Sequence, residues 1–285
     1  MNAPHPTASD GKKCGPWPLS VCTWSLRADV ATTLAAVRSL GLDRVNLALK
    51  PALAEGGEAY LEAVRASGLM ISATTIGFPQ EDYTSLASIR ATGGIVPDEF
   101  WLENRRRVER AANITAEMQV PFLTLHAGFL EEEDASRANR LRERLTCLAD
   151  VAGQHGLMLL LETGQETAEC LRRLLEELNH PALGVNFDPA NVILYDKGVP
   201  VEALRRLGPW VKHVHVKDAV RTRQPGQWGT EVPWGEGEVG HVALLETLSE
   251  VGFAGTLAIE RESGNDRLGD IRGAAQRLVA AGQNL

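Results

Sequence analysis

Cysteines and long apolar runs are scarce in this sequence, and each scarcity excludes a class of protein. Only four cysteines occur, Cys14, Cys22, Cys147 and Cys170, and no two of them form a CxxC pair. Such spacing is unlike a disulfide framework or a structural zinc site, so we expect four reduced thiols. No segment approaches the roughly 18 continuous apolar residues of a membrane span, so we expect no membrane partner.

Positive charge is scarce as well. The chain has 29 Lys and Arg against 37 Asp and Glu, a net charge of -8. This balance argues against a surface built to hold nucleic-acid phosphates. The N-terminus has no apolar signal core, so we expect a cytoplasmic protein.

What is present is an alternation of short strand patterns and helical patterns, repeated eight times. The 44% hydrophobic content suffices for a full core. The strands are short and largely apolar, rich in Val, Leu and Ile, as in parallel sheets that are buried on both faces. We therefore predict a single (β/α)8 TIM barrel over residues 19–285, preceded by an N-terminal extension of residues 1–18. A doubly wound sheet would need a glycine fingerprint after its first strand, and the segment 23–27 has none.

The predicted elements cover most of the chain. The strands are Leu19–Trp24, Arg44–Ala48, Met70–Ile76, Phe122–His126, Leu157–Glu162, Leu183–Asp188, Lys212–Lys217 and Thr256–Glu260. The helices are Val30–Ser39, Ala59–Ser67, Phe100–Glu117, Arg137–His155, Ala168–Leu178, Val201–Leu207, Val242–Val251 and Ile271–Ala281. Two long connections, 77–99 and 218–240, follow the carboxyl ends of the third and seventh strands, where barrel enzymes build their sites.

Charged or ligating residues stand at or near the ends of four successive strands. These residues, here called the strand-end cluster, are Glu162, Asp188, His215 and Glu260. Burying such groups is costly unless they are paired or coordinated, and neighbouring strands of a closed barrel would bring them together. Three carboxylates and an imidazole suit one divalent ion, Mn²⁺ or Mg²⁺ first, with Co²⁺ and Zn²⁺ as alternatives. The competing interpretation is a set of helix N-caps and ordinary polar strand ends.

Five short segments carry a family resemblance. They are Leu161-Glu162, Phe187-Asp188-Pro189-Ala190-Asn191, Val214-His215-Val216-Lys217-Asp218, Gly235-Glu236-Gly237-Glu238-Val239 and Ile259-Glu260. In these segments the sequence resembles the xylose-isomerase-like TIM barrel superfamily, in particular its sugar phosphate isomerase/epimerase family, which includes ketose 3-epimerases. The resemblance implies that the strand-end cluster binds one divalent metal. It also implies that Glu162 and Glu260 are catalytic, one removing a proton beside the substrate carbonyl and the other returning it on the opposite face.

Two positions bear on the substrate that this resemblance implies. Ketose epimerases carry a His three residues after the metal-binding Asp, where this chain has Asn191. Asparagine can hydrogen-bond a sugar hydroxyl but cannot become cationic. The same epimerases have an Arg six residues after the metal-binding His, and Arg221 fits that spacing. Both residues are candidates for substrate binding.

Four further residues are candidate substrate contacts. Lys217 shares a strand face with His215 and could bind a substrate oxygen or form a salt bridge with a carboxylate. His126 ends the fourth strand before Ala127 and a glycine, which leave room for substrate. Trp24 and Trp234 could form apolar walls against a sugar ring or serve as packing anchors.

The expected function is a metal-dependent sugar isomerase or epimerase that acts through a metal-stabilised enediolate on a ketose or small carbohydrate derivative. A lyase or dehydratase of a keto-sugar or inosose, with the same site and an elimination outcome, is the alternative. An endonuclease IV-like nuclease is disfavoured, because its additional histidines are absent at segment 76–78 and at Asn191. A non-catalytic sugar-binding barrel would have no need for paired bases on a metal. Homo-oligomerisation is left open.

Overall fold

Eight parallel strands close into one barrel in the computed structural model, which describes residues 11–130 and 134–284. Closure is complete because the first strand pairs with both the second and the eighth: Val21 lies opposite Val45, and Leu19 lies opposite Leu257. The predicted fold is therefore confirmed. The barrel strands, numbered one to eight below, are Trp17–Cys22, Arg44–Ala48, Met70–Thr75, Phe122–Leu125, Met158–Glu162, Leu183–Phe187, Val211–Val216 and Thr256–Ile259.

Helices cover the outside of the barrel and bury one apolar face each. Helix Ala168–Leu178 begins at Thr167, whose side chain accepts the backbone N–H of Cys170, and it buries Leu171, Leu174 and Leu175. None of the helices in the described segments is long and apolar enough to cross a membrane. The α-helices are Val30–Ser39, Gly57–Ser67, Leu86–Thr92, Trp101–Glu117, Ala135–Gln154, Ala168–Leu178, Pro189–Leu194, Pro200–Leu207, His241–Glu250 and Arg267–Ala281.

The folded body begins before the boundary predicted at residue 19. Lys13–Cys14 forms a short strand antiparallel to the first barrel strand, which itself starts at Trp17. Trp17 is buried because its ring packs beside Phe253 and its Nε1 donates to the Phe253 carbonyl. Pro16 and Pro18 flank Trp17 and interrupt the strand pattern, so the pattern did not predict that the first strand begins at Trp17. Residues 1–10 of the predicted extension lie outside the described residues.

The sequence patterns did not predict two helices and one pair of short strands on the carboxyl side of the barrel. Helices Leu86–Thr92 and Pro189–Leu194 follow the third and sixth strands, and Asp218–Val220 pairs antiparallel with Thr230–Val232 after the seventh. The connection after the seventh strand folds around Asp218. The Asp218 carboxylate accepts hydrogen bonds from four backbone N–H groups, those of Ala219, Gly235, Gly237 and Val239. A Cβ at Gly237 would lie 2.1 Å from Asp218 Oδ1, so this position requires glycine.

The barrel interior carries a line of polar side chains beneath the carboxyl end. His213 is fully buried, and its ring nitrogens lie 2.9 Å from Asn186 Oδ1 and 3.1 Å from Ser72 Oγ. Because both ring nitrogens have partners, this histidine meets the usual requirement for a buried polar group. It is therefore a support within the core, one layer below the strand-end cluster.

Candidate metal centre and active site

The strand-end cluster exists in three dimensions. Glu162 is the last residue of the fifth strand, and Asp188 and Glu260 directly follow the sixth and eighth strands. His215 lies in the seventh strand, paired with Ala258 of the eighth. One potential ligand atom from each of the four residues lies within 4.8 Å of all the others. Parallel neighbouring strands produce this convergence because their carboxyl ends meet at one rim.

His215 stands at the centre of the cluster. Its Nδ1 lies 3.1 Å from Glu260 Oε2 and 3.3 Å from Glu162 Oε1. The distance from the same nitrogen to Asp188 Oδ2 is 3.9 Å. One nitrogen therefore faces all three carboxylates.

The donor set fits a hard or borderline divalent cation. Asp188 Oδ2 and Glu260 Oε2 are buried and make no hydrogen bond with any described residue. Both oxygens lie within ion-pair distance of the Lys217 ammonium group, but neither accepts a hydrogen bond, so each keeps the capacity to bind a cation. Carboxylate oxygens with one imidazole nitrogen are ligands that Mg²⁺ and Mn²⁺ accept.

The three carboxylates differ in their proton affinity. Burial raises the pKa of Asp188 well above its usual range, more than neighbouring Lys217 can lower it. Burial also acts on Glu260 and Glu162, but Lys217 and His215 lower the pKa of Glu260, and His126 and His215 lower that of Glu162. Asp188 thus has the highest proton affinity of the three carboxylates.

Lys217 is a buried cation beside the cluster. Its Nζ lies 2.6 Å from Glu262 Oε2, 3.4 Å from Glu260 Oε2 and 3.6 Å from Asp188 Oδ2. Burial alone would lower its pKa, but the surrounding carboxylates raise it well above the usual value. Of the two interpretations of this residue, the salt bridge is present, and the side chain also lines the cleft described next.

A cleft of about 500 Å³ opens above the cluster, a volume suited to a small molecule. Glu162 and Glu260 form part of its lining. Besides Lys217, three predicted substrate contacts line it, and each lies beside one of these carboxylates. Trp24 Nε1 donates to Glu260 Oε1 at 2.7 Å, while Asn191 Nδ2 donates to Glu162 Oε1 at 3.3 Å. His126 Nε2 lies 3.5 Å from the same Glu162 oxygen.

Two other predicted contacts are not brought to this cleft. The guanidinium of Arg221 is held by Asp196 and by the Gly198 carbonyl. Trp234 is buried, and its ring packs edge-on to His241. Neither is among the residues that line the cleft. Both side chains are instead engaged with residues outside the cleft lining, and their substrate roles stay predictions.

The sequence patterns missed several lining residues. Glu81 accepts the backbone N–H groups of Phe78 and Gly94, which ties together the two ends of the connection after the third strand. The length of this connection was the sequence signal that could have found Glu81. For Glu262 the signal was its position two residues after Glu260. No local sequence pattern marked Tyr195 and Trp228, whose rings contact each other edge to face. The missed lining residues are Lys50, Glu81, Tyr83, Tyr195, Trp228 and Glu262.

Comparison with known proteins agrees with the fold. A family model described as a xylose isomerase-like TIM barrel matches residues 34–281. The crystal structure of a xylose isomerase domain protein from Planctomyces limnophilus is 32% identical, with a TM-score of 0.86 over 94% of this chain and 98% of that one. The 3-keto-D-glucoside 4-epimerase of E. coli is 17% identical, with a TM-score of 0.69 over 92% and 98% of the two chains.

A curated relative adds a second kind of enzyme. The chain is 31% identical over 97 residues to 3-dehydroshikimate dehydratase of Bacillus anthracis, a match that spans 32% of each protein. The chain thus covers about a third of that relative's length.

Proposed function

Because the chain belongs to the xylose isomerase-like TIM barrel family, we propose that it is a divalent-metal-dependent isomerase or epimerase of a ketose or small carbohydrate derivative. One observation carries the proposal: Glu162 and Glu260 belong to the strand-end cluster and also line the cleft. A carboxylate in both places can hold a cation and reach a substrate. Two of them supply the pair of bases that proton transfer on both faces of a carbon requires.

The proposed metal ligands are Glu162, Asp188, His215 and Glu260. When bound, the divalent cation supplies stabilisation of the negative charge that develops on the substrate carbonyl oxygen. Mg²⁺ and Mn²⁺ match the oxygen-rich donor set better than softer ions do. The buried oxygens of Asp188 and Glu260 that accept no hydrogen bond support this assignment.

The residues of the cleft divide the remaining work. Glu162 or Glu260 removes the proton beside the carbonyl, and the other carboxylate returns a proton to the opposite face. Neighbouring cations lower the pKa of both carboxylates, which favours the deprotonated form from which a base must start. Trp24 and Asn191 hold one oxygen of each carboxylate in place, which limits reorganisation during proton transfer.

Elimination is the second candidate reaction. It begins with the same proton removal, but the hydroxyl on the next carbon then takes up a proton and leaves as water, forming a carbon–carbon double bond. Lys217 supports this candidate, because its ammonium group lines the cleft beside Glu260, where it can donate a hydrogen bond to a leaving hydroxyl. The similarity to 3-dehydroshikimate dehydratase over 97 residues supports it too.

Deuterium exchange tests both reactions. Protein stripped with EDTA and protein loaded with Mn²⁺ would be incubated in D₂O with ketoses, 3-keto-glycosides and inososes, followed by NMR. We expect metal-dependent deuterium uptake beside the carbonyl, with an epimer or isomer as product; a conjugated enone instead identifies elimination. Asp188→Asn should lose the exchange, whereas its control Asp196→Asn, on the surface, should keep it. Exchange that is independent of metal contradicts the proposal.

A further inference from the structure

Asn46 lies in the second strand, beneath the strand-end cluster, and contacts His215 from the side away from the carboxylates. The residue is fully buried, and its Oδ1 lies 2.9 Å from His215 Nε2. The opposite nitrogen, Nδ1, faces Glu162, Asp188 and Glu260. The two ring nitrogens of His215 thus have different surroundings.

The orientation of the Asn46 amide follows from its other contacts. Its Nδ2 lies 2.9 Å from the Ala73 carbonyl oxygen, which can only accept a hydrogen bond, and 3.0 Å from Thr75 Oγ1. The amide NH₂ must therefore point to Ala73, which leaves Oδ1 toward His215. Asn186 Nδ2 lies 3.1 and 3.3 Å from the two ring nitrogens and so favours neither.

An amide oxygen can only accept, so His215 Nε2 must carry the hydrogen in this contact. In a neutral imidazole the lone pair is then on Nδ1. We propose that Asn46 is a positioning residue that fixes this tautomer, so that His215 presents Nδ1 to the carboxylates and the metal. The inference rests on the proposed metal-dependent function and names a residue that sets which cation the site prefers.

Because Cys22 is close to the site, the choice between the two ring nitrogens of His215 affects which metal the site prefers. Cys22, His215 and Glu260 form a second group whose potential ligand atoms lie within 4.8 Å of one another. A thiolate in the coordination sphere would favour softer ions such as Zn²⁺ and Co²⁺. The Cys22 thiol lies 3.8 Å from Asn46 Oδ1, the oxygen that also accepts from His215. Asn46 thereby holds both the thiol and Nε2 away from the metal and keeps the donor set rich in oxygen.

The test compares Asn46→Leu, which removes the acceptor, with Asn46→Asp, which keeps it. Mn²⁺ affinity is measured from the electron paramagnetic resonance signal of the free ion. Loss of such a supporting contact should weaken Mn²⁺ binding about 10- to 100-fold in Asn46→Leu, with affinity near wild type in Asn46→Asp. Ser72→Ala is the matched control, because Ser72 serves His213 in the same interior, and its Mn²⁺ affinity should not change.

Cobalt reports the coordination directly. Co²⁺-loaded Asn46→Leu should gain a thiolate-to-cobalt charge-transfer band that wild type lacks and that disappears when Cys22→Ser is added. If Asn46→Leu does not fold, the tautomer is measured by NMR on Mg²⁺-loaded wild type labelled with ¹⁵N-histidine. The His215 signals are assigned as those missing from the spectrum of His215→Gln. A proton on Nδ1 overturns the proposal, as does wild-type Mn²⁺ affinity in a folded Asn46→Leu. Wild type that binds no Mn²⁺ overturns the metal-dependent function itself, and the role of Asn46 with it.

Discussion

The two halves of the barrel rim differ in what they contribute to the site. The fifth to eighth strands carry all four members of the strand-end cluster, and Lys217 follows the seventh. The first four strands and their ends add no carboxylate to it, but they supply Trp24, Asn46 and His126. One half holds the charges, and the other half orients them through hydrogen bonds.

The two long connections differ in another way. The one after the third strand is closed by Glu81, which accepts two backbone N–H groups and whose side chain lines the cleft. The one after the seventh strand is folded around Asp218, which accepts four such groups and lies outside the cleft lining. An acidic residue near the site is therefore not by itself a catalytic residue. Whether its carboxylate can act on a substrate depends on the hydrogen-bonding capacity that remains after its contacts within the protein.

The largest effect should come from the charged half. Glu162→Gln and Glu260→Gln should each reduce the rate of metal-dependent deuterium exchange about 10²- to 10⁴-fold, because an amide cannot accept the proton. Glu236→Gln, in an exposed ion pair with Arg277, is the control and should exchange at the wild-type rate. Substantial activity in Glu260→Gln would remove that residue from the acid–base pair.

Lys217→Met should mainly change stability. Removing the ammonium leaves Asp188 and Glu260 buried without their cation, which should lower the free energy of unfolding of the metal-free protein by about 3 kcal/mol. Mn²⁺ should raise the melting temperature of this variant more than that of wild type, because the ion replaces the missing charge. Thermal unfolding with EDTA and with Mn²⁺ measures both effects. Arg205→Met, which breaks the exposed pair with Glu250, serves as control, and equal Mn²⁺ shifts in Lys217→Met and wild type would contradict this account.

Trp24→Phe tests the orienting half. The substitution keeps an aromatic ring but removes the N–H that holds Glu260 Oε1. Hydrogen bonds to charged groups contribute about 1.5–3 kcal/mol, so kcat/KM should fall at least about tenfold. Steady-state kinetics on the substrate found by exchange would check this. Trp210→Phe, just before the seventh strand, should retain wild-type kinetics, and an unaffected Trp24→Phe would show that the ring only packs.

The smallest effect is expected in the loops of the charged half. Arg221→Ala breaks a partly exposed pair with Asp196, and exposed pairs contribute about 0–1 kcal/mol, so KM should change less than about fivefold. Substrate titrations would measure it beside wild type. A tenfold rise in KM would restore the substrate contact that the family resemblance implied, and would extend the charged half beyond the cleft seen here.

Much of this architecture could be predicted because the strands are largely buried and apolar before their carboxyl ends. In such a pattern Glu162, Asp188 and Glu260 stand out, and His215 precedes the end of its strand by one residue. The first strand was predicted to start at Leu19 instead of Trp17, since two prolines interrupt its pattern. The role of Arg221 came from the spacing in the family, and that of Trp234 came from its aromatic side chain and its place in a loop. Neither signal records where a loop directs its side chains.

The sequence by itself determined the order of strands and helices and the residues that end the last four strands, because both follow from local hydrophobic periodicity. Only the tertiary structure decided what supports those residues. Asn46 meets His215 across 169 positions of the chain, and Trp24 meets Glu260 across 236. Both contacts depend on closure of the barrel, which brings its first strands beside its last, and no local pattern encodes that proximity.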